Sequence, residues 1–210
     1  MNLINLFFHN PILFVILTAM LLYSIIAHEV AHGFTALFFG DDTAKRYGRL
    51  TLNPVSHIDI IGAVMLFVVG FGWAKPVPVN YNALRNTRFG LIAVALAGCL
   101  ANLAIATAAA LLLRSSAINS HPALSQILSL VVRINIILGS FNLIPIPPLD
   151  GSKVLMWFLP ENAQMSLARI EPYGFFILAF FLFTGLLNPV IVFMETVVYG
   201  MINWLVGLFG

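Results

Sequence analysis

Residues 11–40 read PILFVILTAMLLYSIIAHEVAHGFTALFFG. This stretch is longer than the roughly 20 apolar residues that a helix needs to cross a bilayer. Three ionisable side chains, those of His28, Glu29 and His32, interrupt it. Each such group costs roughly 2.5–3.5 kcal/mol at the centre of a bilayer helix on insertion scales. We therefore expect these three residues to serve a chemical purpose.

The composition of the whole chain is typical of an integral membrane protein. Of its 210 residues, 60% are hydrophobic and 9% are charged, whereas soluble domains carry about 25% charged residues. The net charge of +2 is too small to indicate a nucleic-acid partner. The single cysteine, Cys99, excludes an internal disulfide. We expect one integral membrane domain over residues 1–210, with its first apolar segment retained.

Long apolar segments predict an all-α polytopic fold with about five transmembrane helices. The candidate segments are 11–39, 58–73, 89–113, 125–144, 172–187 and 189–209. Segment 58–73 is short for a span and rich in Val, Ile, Phe and Gly, which suits an extended hairpin better than a helix. We expect this hairpin to dip into the membrane and return on the same side.

The basic residues bear on this arrangement. Six Lys and Arg side chains lie between positions 40 and 88. If segment 58–73 does not cross, all six share one side, and the positive-inside rule makes that side cytoplasmic. If the segment crosses, the six divide evenly and the rule gives no orientation.

His28 and His32 are four residues apart, so they share one face of a helix. This spacing forms the helical half of a zinc site, and Glu29 lies beside it, where it can accept a proton from a water molecule that zinc activates. The HExxH pattern also arises by chance in soluble helices, but the cost of three ionisable groups in a membrane argues against chance here. We predict one zinc ion per chain, with Glu29 as general base.

A catalytic zinc needs a third protein ligand, and Asp150 is the strongest candidate. It lies near the end of FNLIPIPPLDG (residues 141–151), where three prolines stop the preceding helix and Gly151 permits a sharp turn. If the hairpin does not cross, the next two spans run outward and back, and Asp150 returns to the side of His32. The alternative is that Asp150 only forms the turn or caps a helix.

The paired motifs HEVAH (28–32) and NLIPIPPLDG (142–151) resemble the site-2 protease family of intramembrane zinc metalloproteases. The resemblance covers about residues 11–155. It includes NPVSHIDIIGAV and GWAKPVPVN, which look like the compact bacterial and archaeal members. Many relatives carry a PDZ or CBS domain, for which this chain has no room.

The resemblance implies that His28, His32 and Asp150 bind the zinc and that Glu29 is the catalytic acid/base. It places the family's membrane-entering hairpin at 58–73. The implied substrates are transmembrane proteins in the lipid bilayer of a prokaryotic cell, cleaved in or near their membrane segments towards the cytoplasmic side. The protease core would span 11–155, followed by C-terminal transmembrane helices over 172–209.

Two asparagines have open alternatives. GCLAN (98–102) resembles the family's Gly-x-x-x-Asn motif, and Asn102 either holds a substrate carbonyl or oxyanion, or forms a hydrogen bond between helices. Asn142 either binds the substrate backbone or satisfies carbonyl groups that the following prolines leave free. His57 and Asp59 have a spacing that suits a strand, and we expect a supporting role for them.

A membrane metal transporter, or a metal-binding membrane protein without peptidase activity, is the alternative function. It would also place His and Asp in helices, but it does not explain Glu29. A zinc ion that only holds helices together is a third interpretation. Such structural sites are normally closed by four protein ligands, and the sequence offers three good ones.

Overall fold

A computed structural model describes residues 3–68, 73–85 and 87–209. Every regular element in these residues is helical, and no strand occurs among them. The α-helices are α1 (Leu3–His9), α2 (Pro11–Phe38), α3 (Thr43–Arg46), α4 (Ile60–Val68), α5 (Thr87–Leu112), α6 (Ser116–Asn119), α7 (Pro122–Asn142), α8 (Asp150–Phe158), α9 (Glu161–Ile170), α10 (Gly174–Phe183) and α11 (Asn188–Phe209). The predicted all-α fold is confirmed.

Five helical stretches of the described chain are long and apolar enough to cross a membrane. They are Pro11–Phe38, Arg88–Leu112, Pro122–Asn142, Asn162–Phe183 and Asn188–Phe209. The fourth consists of α9, a 3-10 turn at Glu171–Tyr173 and α10, with Pro172 at the break. Large apolar side chains such as Phe34, Phe176 and Trp204 are exposed on the outside of the bundle, as expected where lipid covers the protein. The predicted multi-pass architecture is confirmed.

Helix α2 has sequence-encoded ends. The Asn10 side chain accepts a hydrogen bond from the Leu13 N–H at 3.1 Å, and Pro11 occupies the first helical position. The helix continues for 28 residues, about 42 Å at 1.5 Å per residue. It ends shortly before Gly40, whose φ of 101° favours glycine. Local sequence therefore sets the span that carries HEVAH.

The residues that flank segment 58–73 contact each other. The Lys75 N–H donates to the His57 carbonyl at 2.8 Å, and the Arg49 guanidinium donates to the Lys75 carbonyl at 2.6 Å. These contacts hold the two ends of the segment together. The two ends of the segment thus lie side by side, as expected if segment 58–73 does not cross the membrane.

The outgoing arm of this hairpin is helical, so the predicted extended conformation is wrong there. Ile60–Val68 forms α4, and Asp59 caps it by accepting from the Gly62 N–H at 2.8 Å. Residues 69–72 of the predicted hairpin lie outside the described residues. A helix satisfies its own backbone groups in apolar surroundings, whereas an unpaired strand cannot. This requirement overrides the β-branched composition.

Helix α5 lies at the centre of the bundle, where it packs against α2, α7, α8 and α11. Many of its buried positions are small, among them Ala95, Ala97 and Gly98. Small residues let neighbouring helices approach closely. Further along the same helix, one cluster joins it to the C-terminal helix: Ala106, Val198, Ile202 and Val206. The C-terminal helix therefore packs on the same central helix as the HEVAH helix does.

Candidate metal centre

The structure brings His28, His32 and Asp150 together. The Asp150 Oδ2 atom lies 3.0 Å from the Nε2 atom of His28 and 3.1 Å from that of His32. The three possible ligand atoms all lie within 4.8 Å of one another. Both histidines are buried and Asp150 is half-buried. The two sequence motifs, more than a hundred residues apart, therefore form one cluster.

Local structure explains how each residue reaches the cluster. His28 and His32 lie one turn apart on α2, and Asp150 is the first residue of α8. The turn before α8 is tight, because a Cβ atom on Gly151 would lie 2.2 Å from the Leu143 carbonyl oxygen. Gly151 is therefore needed for the start of α8 to pass this close to the Leu143 carbonyl.

A polar contact holds α8 in place one turn beyond Asp150. The Lys153 ammonium lies 3.0 Å from the Glu171 carboxylate and 4.8 Å from the centre of the Tyr81 ring. These contacts join α8 to the turn before α10 and to the chain segment that follows the hairpin. The position of the Asp150 carboxylate is thus fixed from both sides.

Both imidazoles present an Nε2 lone pair to the cluster. The His32 Nδ1 atom lies 2.6 Å from the Val94 carbonyl oxygen. Because a carbonyl only accepts, this nitrogen must carry the hydrogen. The His28 Nδ1 atom lies 2.7 Å from the Asn102 amide oxygen and donates in the same way. In the neutral ring, the hydrogen on Nδ1 leaves Nε2 free to bind a metal.

The donor set fits zinc. The Asp150 carboxylate oxygen lies 3.0–3.1 Å from both Nε2 atoms, and in the neutral tautomers with the hydrogen on Nδ1 no hydrogen lies between them. Such a convergence of acceptors requires a positive charge to stabilise it. Two histidines and one carboxylate form a common ligand set of catalytic zinc, in which the fourth position is left open.

The backbone of α5 forms one wall of the cluster at Gly98. A Cβ atom at this position would lie 2.4 Å from Cε1 of His28 and 2.5 Å from Nε2 of His32. Any side chain there would overlap the two imidazoles. Gly98 thus allows the central helix to pass directly against the histidines.

Glu29 is held by the chain that returns from the hairpin. Its Oε2 atom accepts a hydrogen bond from the Val77 N–H at 2.8 Å. Its other carboxylate oxygen accepts no hydrogen bond from the described residues. A backbone donor therefore orients the carboxylate and leaves one oxygen available.

A second carboxylate, that of Asp41, anchors the same returning chain. It accepts hydrogen bonds from the Thr43 N–H and hydroxyl and from the Asn80 N–H, the last at 2.7 Å. Burial acts to raise the pKa of Asp41, but these hydrogen bonds and the charge of Arg46 outweigh it and lower the pKa. A charged Asp41 thus fixes the chain three residues after Val77.

Asn102 is fully buried beneath His28. Its oxygen accepts from His28, and its NH₂ group donates to the Asn135 side chain at 2.8 Å and to the Ser24 carbonyl at 3.4 Å. These contacts favour the interhelical alternative for Asn102. Ser24 and Asn135 were not identified from the sequence. A polar side chain inside an apolar helix is the signal that could have found them.

Asn142 donates a hydrogen bond to the Leu138 carbonyl of its own helix at 3.0 Å. That carbonyl is not one that the following prolines leave free. The amide oxygen of Asn142 accepts no hydrogen bond from the described residues.

His57 and Asp59 both support the hairpin. The fully buried His57 ring contacts the Thr51 carbonyl at 2.8 Å, and its own carbonyl binds the Lys75 N–H. Asp59 caps α4. The metal-site candidate found among the described residues contains neither of them, in line with the supporting role expected.

The fold and this cluster define a class: a multi-pass membrane protein with a candidate metal centre inside its helix bundle. Comparison with known proteins identifies the family to which the chain belongs. The model of Peptidase family M50 matches residues 116–185. No solved structure matches the chain.

Curated relatives extend the match over most of the chain. "Putative zinc metalloprotease YwhC" of Bacillus subtilis (strain 168) is 38% identical over 164 residues, which cover 75% of each chain. "Putative zinc metalloprotease Rip2" of Mycolicibacterium smegmatis is 31% identical over 183 residues, 83% of this chain and 69% of that one. Rip2 of Mycobacterium tuberculosis (strain H37Rv) is 30% identical over 201 residues, 94% and 75% of the two chains. The chain belongs to Peptidase family M50, the site-2 protease family, and is a zinc metalloprotease.

Proposed function

We propose that this metalloprotease is an intramembrane endopeptidase, which hydrolyses peptide bonds in or beside the transmembrane segments of other membrane proteins. The observation that carries the proposal is the meeting of His28, His32 and Asp150 inside the bundle of spanning helices. His32 precedes the end of α2 by six residues, about 9 Å along the helix axis. This depth supports cleavage close to one membrane surface.

In this proposal, Nε2 of His28, Nε2 of His32 and a carboxylate oxygen of Asp150 hold the zinc. When bound, zinc supplies a Lewis acid that activates water and polarises the scissile carbonyl group. The Nδ1 hydrogen bonds to Asn102 and the Val94 carbonyl keep both rings in the required tautomer and orientation.

Glu29 is the proposed general base. Val77 holds one carboxylate oxygen, and the other is available to accept a proton from the attacking water. As the water oxygen bonds to the carbonyl carbon and the peptide C–N bond breaks, Glu29 returns that proton to the leaving nitrogen. The products are a carboxylic acid and an amine, so one water molecule is consumed and no other reactant is needed.

The amide oxygen of Asn142 is proposed to bind a backbone N–H of the substrate. A substrate helix has its backbone groups satisfied internally, so it must unwind before a peptide bond can reach the zinc. In this proposal, the free acceptor of Asn142 stabilises the unwound chain. We do not assign the oxyanion to Asn102, because its amide atoms are already engaged with His28, Asn135 and Ser24.

The whole chain is proposed to form one membrane domain, with its active site facing the cytoplasm of a prokaryotic cell. The six basic residues between positions 40 and 88 support this orientation, because both ends of the hairpin lie together. Thiol labelling of a Lys75→Cys variant, with Cys99 replaced by Ala, should occur only from the cytoplasmic side. Labelling from the outer side would reverse the orientation.

Cleavage in vesicles tests the function. We expect purified protein in lipid vesicles to cut single-span membrane proteins within or beside the span, a zinc chelator to stop cleavage, and added zinc to restore it. Mass spectrometry of the new termini locates the cut. Zinc uptake into the vesicles with no cleavage of a panel of single-span substrates would contradict the proposal and indicate a transporter.

A further inference from the structure

A chain of hydrogen bonds runs from His28 across three helices. The His28 Nδ1–H donates to the Asn102 oxygen on α5 at 2.7 Å, and the Asn102 NH₂ group donates to the Asn135 oxygen on α7 at 2.8 Å. The Asn135 NH₂ group donates to the Ser24 hydroxyl on α2 at 3.0 Å and to the Val131 carbonyl at 2.9 Å. All four side chains are buried, so water does not compete for these bonds.

The direction of these hydrogen bonds is fixed at Asn135, the end farthest from His28. The Val131 carbonyl can only accept, so the Asn135 atom that faces it must be the NH₂ group. The Asn135 oxygen therefore faces Asn102, which must turn its own NH₂ group towards Asn135. The Ser24 carbonyl lies 3.4 Å from the Asn102 NH₂ group and, because it can only accept, requires the same orientation of Asn102. Only the Asn102 oxygen is left to face His28.

The opposite orientation of the Asn102 amide would prevent His28 from binding a metal. A flipped amide would present N–H to the His28 Nδ1 atom, which would then have to accept. The imidazole hydrogen would move to Nε2 and occupy the position from which His28 binds a metal. The flip would also bring two oxygens together at Asn135. The orientation of one buried amide therefore selects the metal-binding tautomer.

We infer that Asn135 is a positioning residue of the metal centre: it orients the Asn102 amide, and through it selects the His28 tautomer that binds zinc. Asn135 itself is not one of the candidate metal ligands. The inference rests on the proposed metal site. Hydrogen-bond partners of metal ligands typically change metal affinity by 10–100-fold when they are removed.

Zinc affinity tests this inference, measured by chelator competition on purified protein. We expect Asn135→Leu, which keeps the branched shape of the side chain and removes its polar atoms, to weaken zinc binding on the order of tenfold. In the Asn102→Asp background, the same substitution should cause no further loss, because both carboxylate oxygens accept from His28 in either orientation. This non-additivity distinguishes orientation of the amide from loss of packing.

Two further variants serve as controls. Thr107→Val removes a buried hydroxyl from α5, which among the described residues bonds to the Leu103 carbonyl of its own helix, and should leave zinc affinity unchanged. Ser24→Ala removes one acceptor from Asn135 but leaves Val131, so its loss should be smaller and in the same direction. If Asn135→Leu does not fold, the zinc affinity of Ser24→Ala tests the inference instead.

Two results would overturn the inference, and a third would contradict the metal site on which it rests. Wild-type zinc affinity in folded Asn135→Leu and Ser24→Ala proteins would overturn the inference and leave the metal site standing. An equal loss in the Asn102 and Asn102→Asp backgrounds would overturn it too, since the effect would then be packing. Absence of zinc from the wild-type protein would contradict the proposed metal site itself.

Discussion

The Glu29→Gln variant is expected to lose roughly 10²–10⁴-fold in peptide cleavage and to keep its zinc. Glutamine has nearly the same shape, and its oxygen can still accept the hydrogen bond from the Val77 N–H. It cannot accept the proton of the attacking water. The two quantities to measure are cleavage of a membrane-helix substrate in vesicles and zinc per chain by elemental analysis.

Glu195→Gln is the matched control for this variant. It makes the same chemical change at another half-buried glutamate, on the spanning helix α11, away from the histidines in sequence. We expect it to cleave as the wild type does. Cleavage that survives Glu29→Gln would exclude Glu29 as the general base. Loss of zinc from that variant would make Glu29 a part of the metal site instead.

The Gly98→Ala variant is expected to fold and to lose zinc affinity on the order of 100-fold, at the upper end of the effects seen for groups around metal ligands. The added methyl group would lie 2.4–2.5 Å from ring atoms of both His28 and His32. The imidazoles or the central helix must then shift, and either movement separates the ligand atoms. Chelator competition measures the affinity, and thermal unfolding in detergent measures the stability.

Gly139→Ala is the control for that helix substitution. Its added methyl group would meet the Asn102 Cβ at 3.6 Å and the Cys99 carbonyl oxygen at 3.7 Å, which are ordinary contacts. Alanine favours a helix over glycine by about 1 kcal/mol, so this variant should be at least as stable as the wild type and bind zinc normally. Equal zinc affinity in both variants would show that α5 does not pack against the histidines as described.

The metal cluster can be predicted from the sequence because such a cluster requires particular residue types at particular spacings. Histidines four residues apart on a span are costly and share one helix face. Asp150 follows a proline-rich stop at a membrane boundary, and the return topology of the hairpin brings it to the same side. Charge, length and periodicity therefore indicate that these distant motifs meet, and the family resemblance implies the same ligand set.

Other features depend on contacts that no single position encodes. The Val77 N–H that holds Glu29 and the Val94 carbonyl that holds His32 are backbone groups, so residue type says nothing about them. The conformation of α4 depends on the lack of a pairing strand in the described part of the chain, which overrides its β-branched composition. The role of Asn135 depends on which atoms face it from two other helices.

Zinc content of freshly purified protein tests the central claim most directly, with wild type, Asp150→Ala and His121→Ala measured side by side. His121 is exposed and lies outside the cluster, so it controls for nonspecific binding by histidine. We predict about one zinc per chain in the wild type and in His121→Ala, and little in Asp150→Ala. A folded Asp150→Ala protein that keeps its full zinc content would contradict the assignment of His28, His32 and Asp150 as the metal centre.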